Sequence, residues 1–411
     1  MIGLADIERA RARIASILET TPCRMSPAFS EQLGMRAFFK YETLQLTGSF
    51  KVRGAYNKIS SLSRSEAERG VITASAGNHA QGVAFSACQA GVPSTIVMPR
   101  TTPLIKIENT RRLGGRVVLA GEVFDEACEE ARRLEAEKGL VFVHPFDDEQ
   151  VIAGQGTIGL EILEQVPEVE VIVVPVGGGG LISGIVAAVK AKKPSVRIYG
   201  VQTEAAPAMA ESFRAGRAVT CQASRSVADG IAVKGPGDLT FEYIRRYVDD
   251  VVTVSEDAIR AAVIRLLETG KTVVEGAAAA AFAAVAGRQI PELAQRSVVM
   301  VLSGANIDLA LLARIIDRSL VESHRLVRFR TRVPDRPGGL AELLQVIAQH
   351  GGNVLRIQHD RVFMYAGFWQ AQIDVTLETR NEEHIEELHQ ALLTEGYEVE
   401  WPNLFAGPPA A

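Results

Sequence analysis

Two patterns of apolar and polar residues divide the chain. From about residue 35 to 320, short apolar runs rich in β-branched residues alternate with longer stretches whose apolar residues recur every three or four positions. The short runs predict strands and the longer stretches predict helices. The strand-like runs read RAFFKYE, GVITAS, PSTIVMP, GRVVLA, VIVVPV, VRIYGVQ and SVVMVLSG. Strands that alternate with helices predict an α/β fold with mostly parallel sheets.

The pattern changes near residue 325. LVRFRTRV and AQIDVTL alternate apolar with polar residues, which is typical of antiparallel strands that have one buried face. Between them lie a helical pattern, GGLAELLQVIAQHGG, and the strand-like NVLRIQ. A second helical pattern, EEHIEELHQALLTEG, precedes a last strand. The order βαββαβ predicts a separate small α+β module from about residue 325 to the end.

Glycine-rich or polar segments follow three of the predicted parallel strands, where such sheets bind ligands. The most informative is residues 177–180, four consecutive glycines in PVGGGGLISG between a strand and a helix. Backbone N–H groups without side chains at a helix N-terminus bind anions, and a tight turn needs only one or two glycines. The spacing fits neither a dinucleotide fingerprint nor a P-loop, because Ile182 or Ser183 stands where a glycine is needed and no lysine follows. The segment predicts a monophosphate site.

The other two segments are less specific. Ser75, Gly77 and Asn78 lead into a helix, where they could bind a carboxylate or a phenolic oxygen, or form an ordinary N-cap. His79 is by itself more often structural than catalytic. SGANID, at residues 303–308, is a common kind of polar loop. Glu275, which opens an alanine-rich helical pattern, is more typical of a cap than of a site.

Lys51, in TGSFKVRGA, stands at an unusual place. The helical spacing of the apolar residues after it puts Lys51 in or just before a first helical turn, where the helix dipole disfavours a cation. Its amine therefore either points into solvent or is neutral and reactive. A reactive lysine together with a monophosphate site is typical of pyridoxal phosphate held as a Schiff base.

Composition narrows the function classes. The 411 residues carry a net charge of −5, which gives no electrostatic basis for binding nucleic acid or an anionic membrane. The four cysteines are scattered without CxxC spacing, so we expect a reducing cytoplasm and no disulfide framework. The uncharged stretch 171–189 could mimic a membrane span, but its glycines and Pro175 favour a strand, a loop and a helix. We expect a small-molecule or protein ligand.

Six segments, in this order, resemble the fold-type II pyridoxal-phosphate enzymes, and most closely the threonine ammonia-lyases, with serine racemases nearby. They are SFKVRGA, SAGNHAQG, VIAGQGTIGLEI, VGGGGLISG, VADG and SGANID. The C-terminal module resembles an ACT domain, including PDRPGG at residues 334–339. The resemblance implies a two-lobed catalytic domain at 1–322, with a smaller mobile lobe at about 46–145, and an ACT-like domain at 325–411.

The resemblance also implies residue roles. Lys51 would form the Schiff base and abstract the α-proton, with Phe50 beside the cofactor. Asn78 would bind the phenolic oxygen, and Ser303 the pyridine nitrogen, where a hydroxyl leaves the nitrogen largely unprotonated and suits β-elimination. The implied phosphate site consists of Gly177, Gly178, Gly179, Gly180 and Leu181. The implied substrate site consists of Ser75, Ala76, Gly77 and His79.

One departure separates the related activities. Serine racemases carry a serine base where this chain has Ala76, which cannot accept a proton. The resemblance therefore favours dehydration and deamination of L-threonine to 2-oxobutanoate and ammonia, with secondary activity on L-serine, in isoleucine biosynthesis. The alternatives are a serine racemase, or a serine or hydroxyaspartate dehydratase, of the same family. A non-catalytic amino-acid sensor is a remote alternative, because Lys51, Asn78, the four glycines and Ser303 are all present.

The ACT-like module implies partners rather than chemistry. We expect an amino-acid effector, isoleucine or valine, at Gly338 and Asn353, although the module could instead only join subunits. We also expect a homodimer or homotetramer. Related enzymes bind a divalent ion through two carboxylates, of which Glu204 remains while the second position is Ala210. We therefore expect no metal.

Overall fold

The computed structural model describes residues 1–361 and 369–401. The chain divides into two compact units, residues 1–308 and the residues from 309 onward. This division follows from packing alone, so the predicted domain limits and the mobile lobe stay predictions. Residues 362–368 and 402–411 of the predicted module lie outside the described residues.

The first unit is an α/β structure with two mostly parallel sheets. Its strands are β1 (Cys23–Met25), β2 (Arg36–Tyr41), β3 (Val71–Ala74), β4 (Ser94–Met98), β5 (Arg116–Leu119), β6 (Val141–Phe142), β7 (Val171–Pro175), β8 (Arg197–Thr203), β9 (Asp250–Val254) and β10 (Ser297–Leu302). The six-stranded sheet has the order β1-β2-β10-β7-β8-β9, and the four-stranded sheet has the order β5-β4-β3-β6. Every pair is parallel except β1 with β2. All seven predicted strands of this unit are confirmed.

Helices connect these strands and cover both sheets. They are α1 (Leu4–Ile14), α2 (Pro27–Leu33), α3 (Lys51–Ile59), α4 (Arg64–Arg69), α5 (Asn78–Ala90), α6 (Leu104–Arg112), α7 (Phe124–Lys138), α8 (Glu149–Gln165), α9 (Gly180–Lys192), α10 (Ala208–Ala215), α11 (Asp238–Tyr247), α12 (Glu256–Glu268) and α13 (Gly276–Ala286). The alanine-rich α13 is buried from Gly276 to Val285. Strands rich in valine and isoleucine between helical layers bury apolar side chains on both faces, which is typical of parallel sheets.

Helix α3 lies between α5 and α8 at unusually close range. A Cβ added to Gly154 of α8 would lie 2.5 Å from Arg53 O, and one added to Gly82 of α5 would lie 3.2 Å from the carbonyl carbon of Lys51. Real Cβ atoms are essentially never found as close as the first of these distances. The two glycines therefore let both neighbours contact the backbone of the helix that begins at Lys51.

Four buried charged side chains also hold α3 in place. Arg53 Nε donates to Glu42 at 2.8 Å, and its Nη1 donates to Glu161 at 2.6 Å. Lys40 Nζ donates to the second oxygen of Glu161 at 2.5 Å. Burial alone would raise the pKa of Glu42, but the charge of Arg53 outweighs it and holds that pKa below its ordinary value. Two cations and two carboxylates thus join α3, β2 and α8 in the protein interior.

The second unit has the predicted βαββαβ order after one preceding helix, α14 (Leu309–Glu322). Its elements are β11 (Leu326–Pro334), α15 (Gly339–Gln349), β12 (Asn353–Asp360), β13 (Gln370–Glu378), α16 (Glu382–Thr394) and β14 (Val399–Glu400). The antiparallel sheet has the order β12-β13-β11-β14. Alternate residues of β11 and β13 pack on α15 and α16, which explains their period of two. No helix of the described chain is long and apolar enough to cross a membrane.

The buried charge group gives a stability prediction. When methionine replaces Arg53, Lys40 is the remaining cation of this group and faces two buried carboxylates. We expect the free energy of unfolding to fall by about 3–5 kcal/mol, because breaking a buried ion pair leaves an uncompensated charge. Chemical denaturation of the full chain measures this change.

The matched control is Arg64→Met, which removes the same charge from an exposed pair with Glu68 on α4. That variant should stay within about 1 kcal/mol of the unmodified protein. An equally small change for Arg53→Met would show that the buried group does not hold α3 in place.

Candidate active site

Lys51 is the first residue of α3, as its sequence context predicts. Phe50 is the N-cap residue, and it provides no side-chain capping bond. The Lys51 side chain is partly buried, and its Nζ donates to Pro145 O at 2.8 Å. The Phe50 ring centroid lies 5.2 Å from this amine. Of the two interpretations of Lys51, the structure therefore excludes a side chain that points into open solvent.

The surroundings of Lys51 weaken its hold on a proton. Burial lowers the pKa of Lys51 to about 8, and the nearby carboxylate of Glu275 offsets part of that shift. Because a lysine in water has a pKa near 10.4, the neutral amine is far more accessible here than on a protein surface. A neutral amine is the form that attacks a carbonyl carbon or accepts a proton.

The glycine segment 177–180 forms the turn between β7 and α9. Gly179 has φ +98, a left-handed conformation that residues with side chains rarely adopt. A Cβ on Gly178 would lie 2.4 Å from the Phe146 ring, and a Cβ on Gly180 would lie 2.8 Å from Phe146 Cα. Close packing therefore explains part of the need for glycine. The carbonyl of Pro145 accepts a hydrogen bond from Lys51 and the neighbouring Phe146 contacts the glycine segment, so Lys51 and that segment meet at the same short loop.

Free backbone donors mark the glycine segment as an anion site. The N–H groups of Gly177, Gly178 and Gly179 have no acceptor among the described residues. Gly180 and Leu181 begin α9, and the first N–H groups of a helix have no acceptor within it. The carbonyl of Gly178 accepts from Thr240 Oγ1 at 2.6 Å, which fixes the turn from its other side. These donors and the positive end of the α9 dipole suit a phosphate group.

His144 fixes the loop that joins these two parts. Its Nδ1 accepts from the backbone N–H groups of Phe146 and Asp147, at 3.3 and 2.7 Å. Burial lowers the pKa of His144 to about 4, so the ring is neutral and its Nδ1 stays an acceptor. His144 was not among the predicted site residues, because its partners are the two backbone groups of a loop without a sequence pattern.

The segment 75–79 forms a second helix N-terminus, at the start of α5. Ser75 Oγ accepts from the N–H of Gly77 at 3.2 Å, so the serine closes the turn before the helix. Ala76 packs against the apolar residues beside the small sheet. His79 is buried and its Nε2 bonds to Val143 O at 2.9 Å. Burial, assisted by the charge of Lys51, lowers the pKa of His79 to about 3, so this ring is neutral.

The loops before α3 and after β10 are joined by backbone bonds. Phe50 N donates to Ser303 O at 3.1 Å, and Ala305 N donates to Gly48 O at 2.8 Å. Ser303 itself is only 2% exposed. Lys51 and Ser303, which are 252 positions apart in the sequence, are thereby held in neighbouring loops.

Glu275 is a site residue that the sequence did not reveal. It is the N-cap residue of α13, but the expected capping bond is absent among the described contacts. Its two carboxylate oxygens instead accept from Asn78 Nδ2, at 2.8 and 2.9 Å. Burial raises the pKa of Glu275 to about 7. One feature of the sequence does point to it. Glu275 directly precedes a helical pattern rich in alanine, and a helix cap that only faces solvent does not need such apolar surroundings.

Comparison with known proteins identifies the family to which this geometry belongs. Residues 14–304 match the family described as pyridoxal-phosphate dependent enzymes, and residues 327–393 match the ACT domain. The chain belongs to the pyridoxal-phosphate dependent enzymes. Its fold-type II class and its C-terminal ACT domain are therefore confirmed.

Individual members of the family match between about three quarters and nearly all of the chain. An L-threonine ammonia-lyase of Thermotoga maritima is 51% identical over 399 residues, which are 97% of this chain and 99% of that protein. The structure of maize serine racemase is similar with a TM-score of 0.73 at 37% identity, over 78% of this chain and 98% of that one. The processed threonine deaminase isoform 2 of Solanum lycopersicum gives 0.72 at 39% identity, over 76% and 93%.

The residues of this chain fit the cofactor of the family, pyridoxal phosphate. The unpaired N–H groups of the glycine turn suit its phosphate, and the Lys51 amine with its lowered pKa suits its aldehyde. Asn78, the first residue of α5, is joined through Asn306 to Thr47, and Ser303 O accepts from Phe50 N, so both are linked to the segment just before Lys51. The separate roles of these residues, of Leu181 and of the substrate residues stay predictions.

The structure does not bring the two predicted effector residues together within one copy. Pro334, four residues before Gly338, pairs with Gln370 at the start of β13, whereas Asn353 pairs with Glu378 at its end. Nine residues of strand separate the two ends by about 25 Å. Gly338 has φ +92 at the start of α15, and Asn353 Nδ2 donates to Glu378 at 2.7 Å. Their binding role stays a prediction.

The described residues include no group of three or more His, Cys, Asp or Glu side chains arranged to hold a metal ion. Glu204 follows β8, and its backbone N–H donates to Val254 O. The second position, Ala210, is buried within α10.

Proposed function

We propose that this chain is a threonine ammonia-lyase, which converts L-threonine to 2-oxobutanoate and ammonia and acts more weakly on L-serine. The observation that carries the proposal is the Lys51 amine, whose pKa burial lowers to about 8, together with the nearby glycine turn and its unpaired N–H groups. The similarity to the L-threonine ammonia-lyase of Thermotoga maritima supports the same substrate. The cysteine pattern supports a cytoplasmic location, and the ACT domain supports a homo-oligomer.

Lys51 has two tasks in this proposal: its amine binds the aldehyde of the cofactor, and it accepts the α-proton of the substrate. When bound, pyridoxal phosphate withdraws electrons from the Cα of an attached amino acid and makes the α-proton acidic. Lys51 Nζ then accepts that proton, since burial lowers its pKa to about 8. Pro145 O accepts a hydrogen bond from the same amine at 2.8 Å and limits the directions in which it can move.

The start of α5 binds the substrate carboxylate in our proposal. Ser75 Oγ already accepts from Gly77 N, but Asn78 and His79 open the helix and their N–H groups have no acceptor within it. A carboxylate at a helix N-terminus gains from these donors and from the helix dipole. The neutral His79 ring adds no charge there, so the backbone provides the attraction.

Ala76 favours elimination over racemisation. Racemisation needs a proton donor or acceptor on each face of Cα, and the methyl group of Ala76 is neither. The Ala76 side chain packs on the apolar core beside the sheet β5-β4-β3-β6. The likeness to maize serine racemase keeps racemisation as the second candidate.

The ACT domain senses an amino acid in our proposal. Gly338 and Asn353 lie far apart within one copy. A binding site that contains both therefore has Gly338 from one copy and Asn353 from another. A ligand that binds one arrangement of the paired domains more tightly shifts the population toward it. We infer that isoleucine or valine acts in this way.

The lyase activity gives the first prediction of the proposed function. Lys51→Ala should lower the rate of 2-oxobutanoate formation from L-threonine by on the order of 10²–10⁴-fold, because it removes the proton acceptor. The control is Lys58→Ala, which removes a lysine from the same helix, where Lys58 pairs with Asp148 at 2.7 Å. This control should retain most of the rate. Both rates are measured with the cofactor in excess.

Two outcomes would contradict the proposed function. Lys51→Ala at nearly the unmodified rate would exclude Lys51 as the proton acceptor. D-serine that forms from L-serine as fast as pyruvate, measured by chiral chromatography on the unmodified enzyme, would favour the racemase.

The second prediction concerns regulation. Isoleucine or valine should shift the threonine saturation curve of the full chain, and Gly338→Ala should reduce the shift. The control is Gly396→Ala, since both glycines have a positive φ and neither replacement creates a close contact. The two variants thus carry similar backbone strain. If every amino acid tested leaves the curve of the unmodified enzyme unchanged, the ACT domain has a structural role only.

A further inference from the structure

Asn78 lies in the middle of a chain of hydrogen bonds between three loops. Its Nδ2 donates to both oxygens of Glu275, at 2.8 and 2.9 Å. Its Oδ1 accepts from Asn306 Nδ2 at 2.7 Å. Asn306 Nδ2 also donates to Thr47 O at 2.8 Å, so the chain begins and ends on oxygen atoms.

The two ends of this chain determine how both amides are turned. The backbone carbonyl of Thr47 can only accept, so Asn306 must turn its nitrogen toward it. Asn306 then offers a donor to Asn78, which must answer with its oxygen. An ionised Glu275 can also only accept, so Asn78 must turn its nitrogen toward the carboxylate. Each requirement agrees with the next, and the opposite orientation of either amide would place two acceptors or two donors together.

The site is built to hold the Glu275 carboxylate at this place. Its side chain is 6% exposed, and its backbone N–H donates to Gly304 O at 3.1 Å. A Cβ added to Gly304 would lie 2.6 Å from Glu275 Oε1, so only glycine leaves room for the carboxylate. Lys51, Lys106 and Asp229 are the charged groups whose fields reach it. The described contacts give Glu275 no direct ion pair, and its partner is the Asn78 amide.

We propose that Glu275 is a positioning residue that acts through Asn78, and that it presents the Asn78 N–H, rather than its oxygen, to the phenolic oxygen of pyridoxal phosphate. This rests on the proposed role of Asn78 at that oxygen. Nδ2 has two protons, so it can donate to Glu275 and to a second acceptor at the same time. A turned amide would set its oxygen against the phenolic oxygen and repel it.

The test is the absorption spectrum and the dissociation constant of the cofactor in the Glu275→Gln enzyme. Glutamine keeps the shape but offers a donor as well as an acceptor, so it no longer determines the orientation of Asn78. We expect a shifted absorption maximum, since the spectrum reports the phenolic oxygen, and a dissociation constant larger by on the order of tenfold, since one hydrogen bond to the cofactor is weakened. An unchanged spectrum with an unchanged dissociation constant would overturn the proposal.

The matched control is Glu256→Gln. Glu256 accepts from Thr203 Oγ1, Ser226 Oγ and Val227 N at 2.6 to 2.7 Å, so the change also weakens a polar network, without a bond to Asn78. It should leave the cofactor spectrum unchanged. The same spectral shift in this control would overturn the proposal, because a general loss of structure would then explain both variants.

A second variant keeps the proposal testable if Glu275→Gln does not fold. Asn306→Asp has the same size but only accepts, so it removes the donor that holds Asn78 Oδ1. It should shift the spectrum of the bound cofactor, and an unchanged spectrum would contradict the chain of bonds. Failure of the proposed function would give a different result from failure of this proposal, because the unmodified protein itself would then lack lyase activity.

Discussion

The contacts of Arg53 are the constraint on which the active site depends. Arg53 lies two residues after Lys51 on α3, and its guanidinium contacts Glu42 of the segment after β2 and Glu161 of α8. Charges in a dry interior must stay paired, so α3 cannot turn or slide without leaving a carboxylate uncompensated. The close approach of α8 at Gly154 limits the same movements by contact. Lys51 therefore starts its helix at a place that the core of the protein determines.

Around this fixed lysine, the site combines backbone donors with few charges. The glycine turn and the start of α5 present backbone N–H groups, which in our proposal bind a phosphate and a carboxylate. Burial affects the two ionisable groups in opposite directions, since it lowers the pKa of Lys51 to about 8 and raises the pKa of Glu275 to about 7. Both shifts have the same cause, since burial disfavours the charged form of each group.

Much of this arrangement can be predicted from the sequence, and what cannot has identifiable reasons. The buried strands have strong apolar patterns, whereas β1, β6 and β9, which no pattern singled out, are all edge strands of their sheets. The glycine turn and Lys51 are local motifs. Glu275 lacks such a motif, because its partner Asn78 is 197 positions away. The distance between Gly338 and Asn353 depends on strand pairing, which the order of elements does not reveal.

The central claim is that Lys51 carries the cofactor. The most direct measurement is reduction of the cofactor-loaded enzyme with borohydride, followed by proteolysis and mass spectrometry of the peptides. We predict a pyridoxal-phosphate label on the peptide that contains Lys51 and none on Lys40 or Lys58, which are held in ion pairs. A label on another lysine, or an active enzyme without any label, would contradict the account.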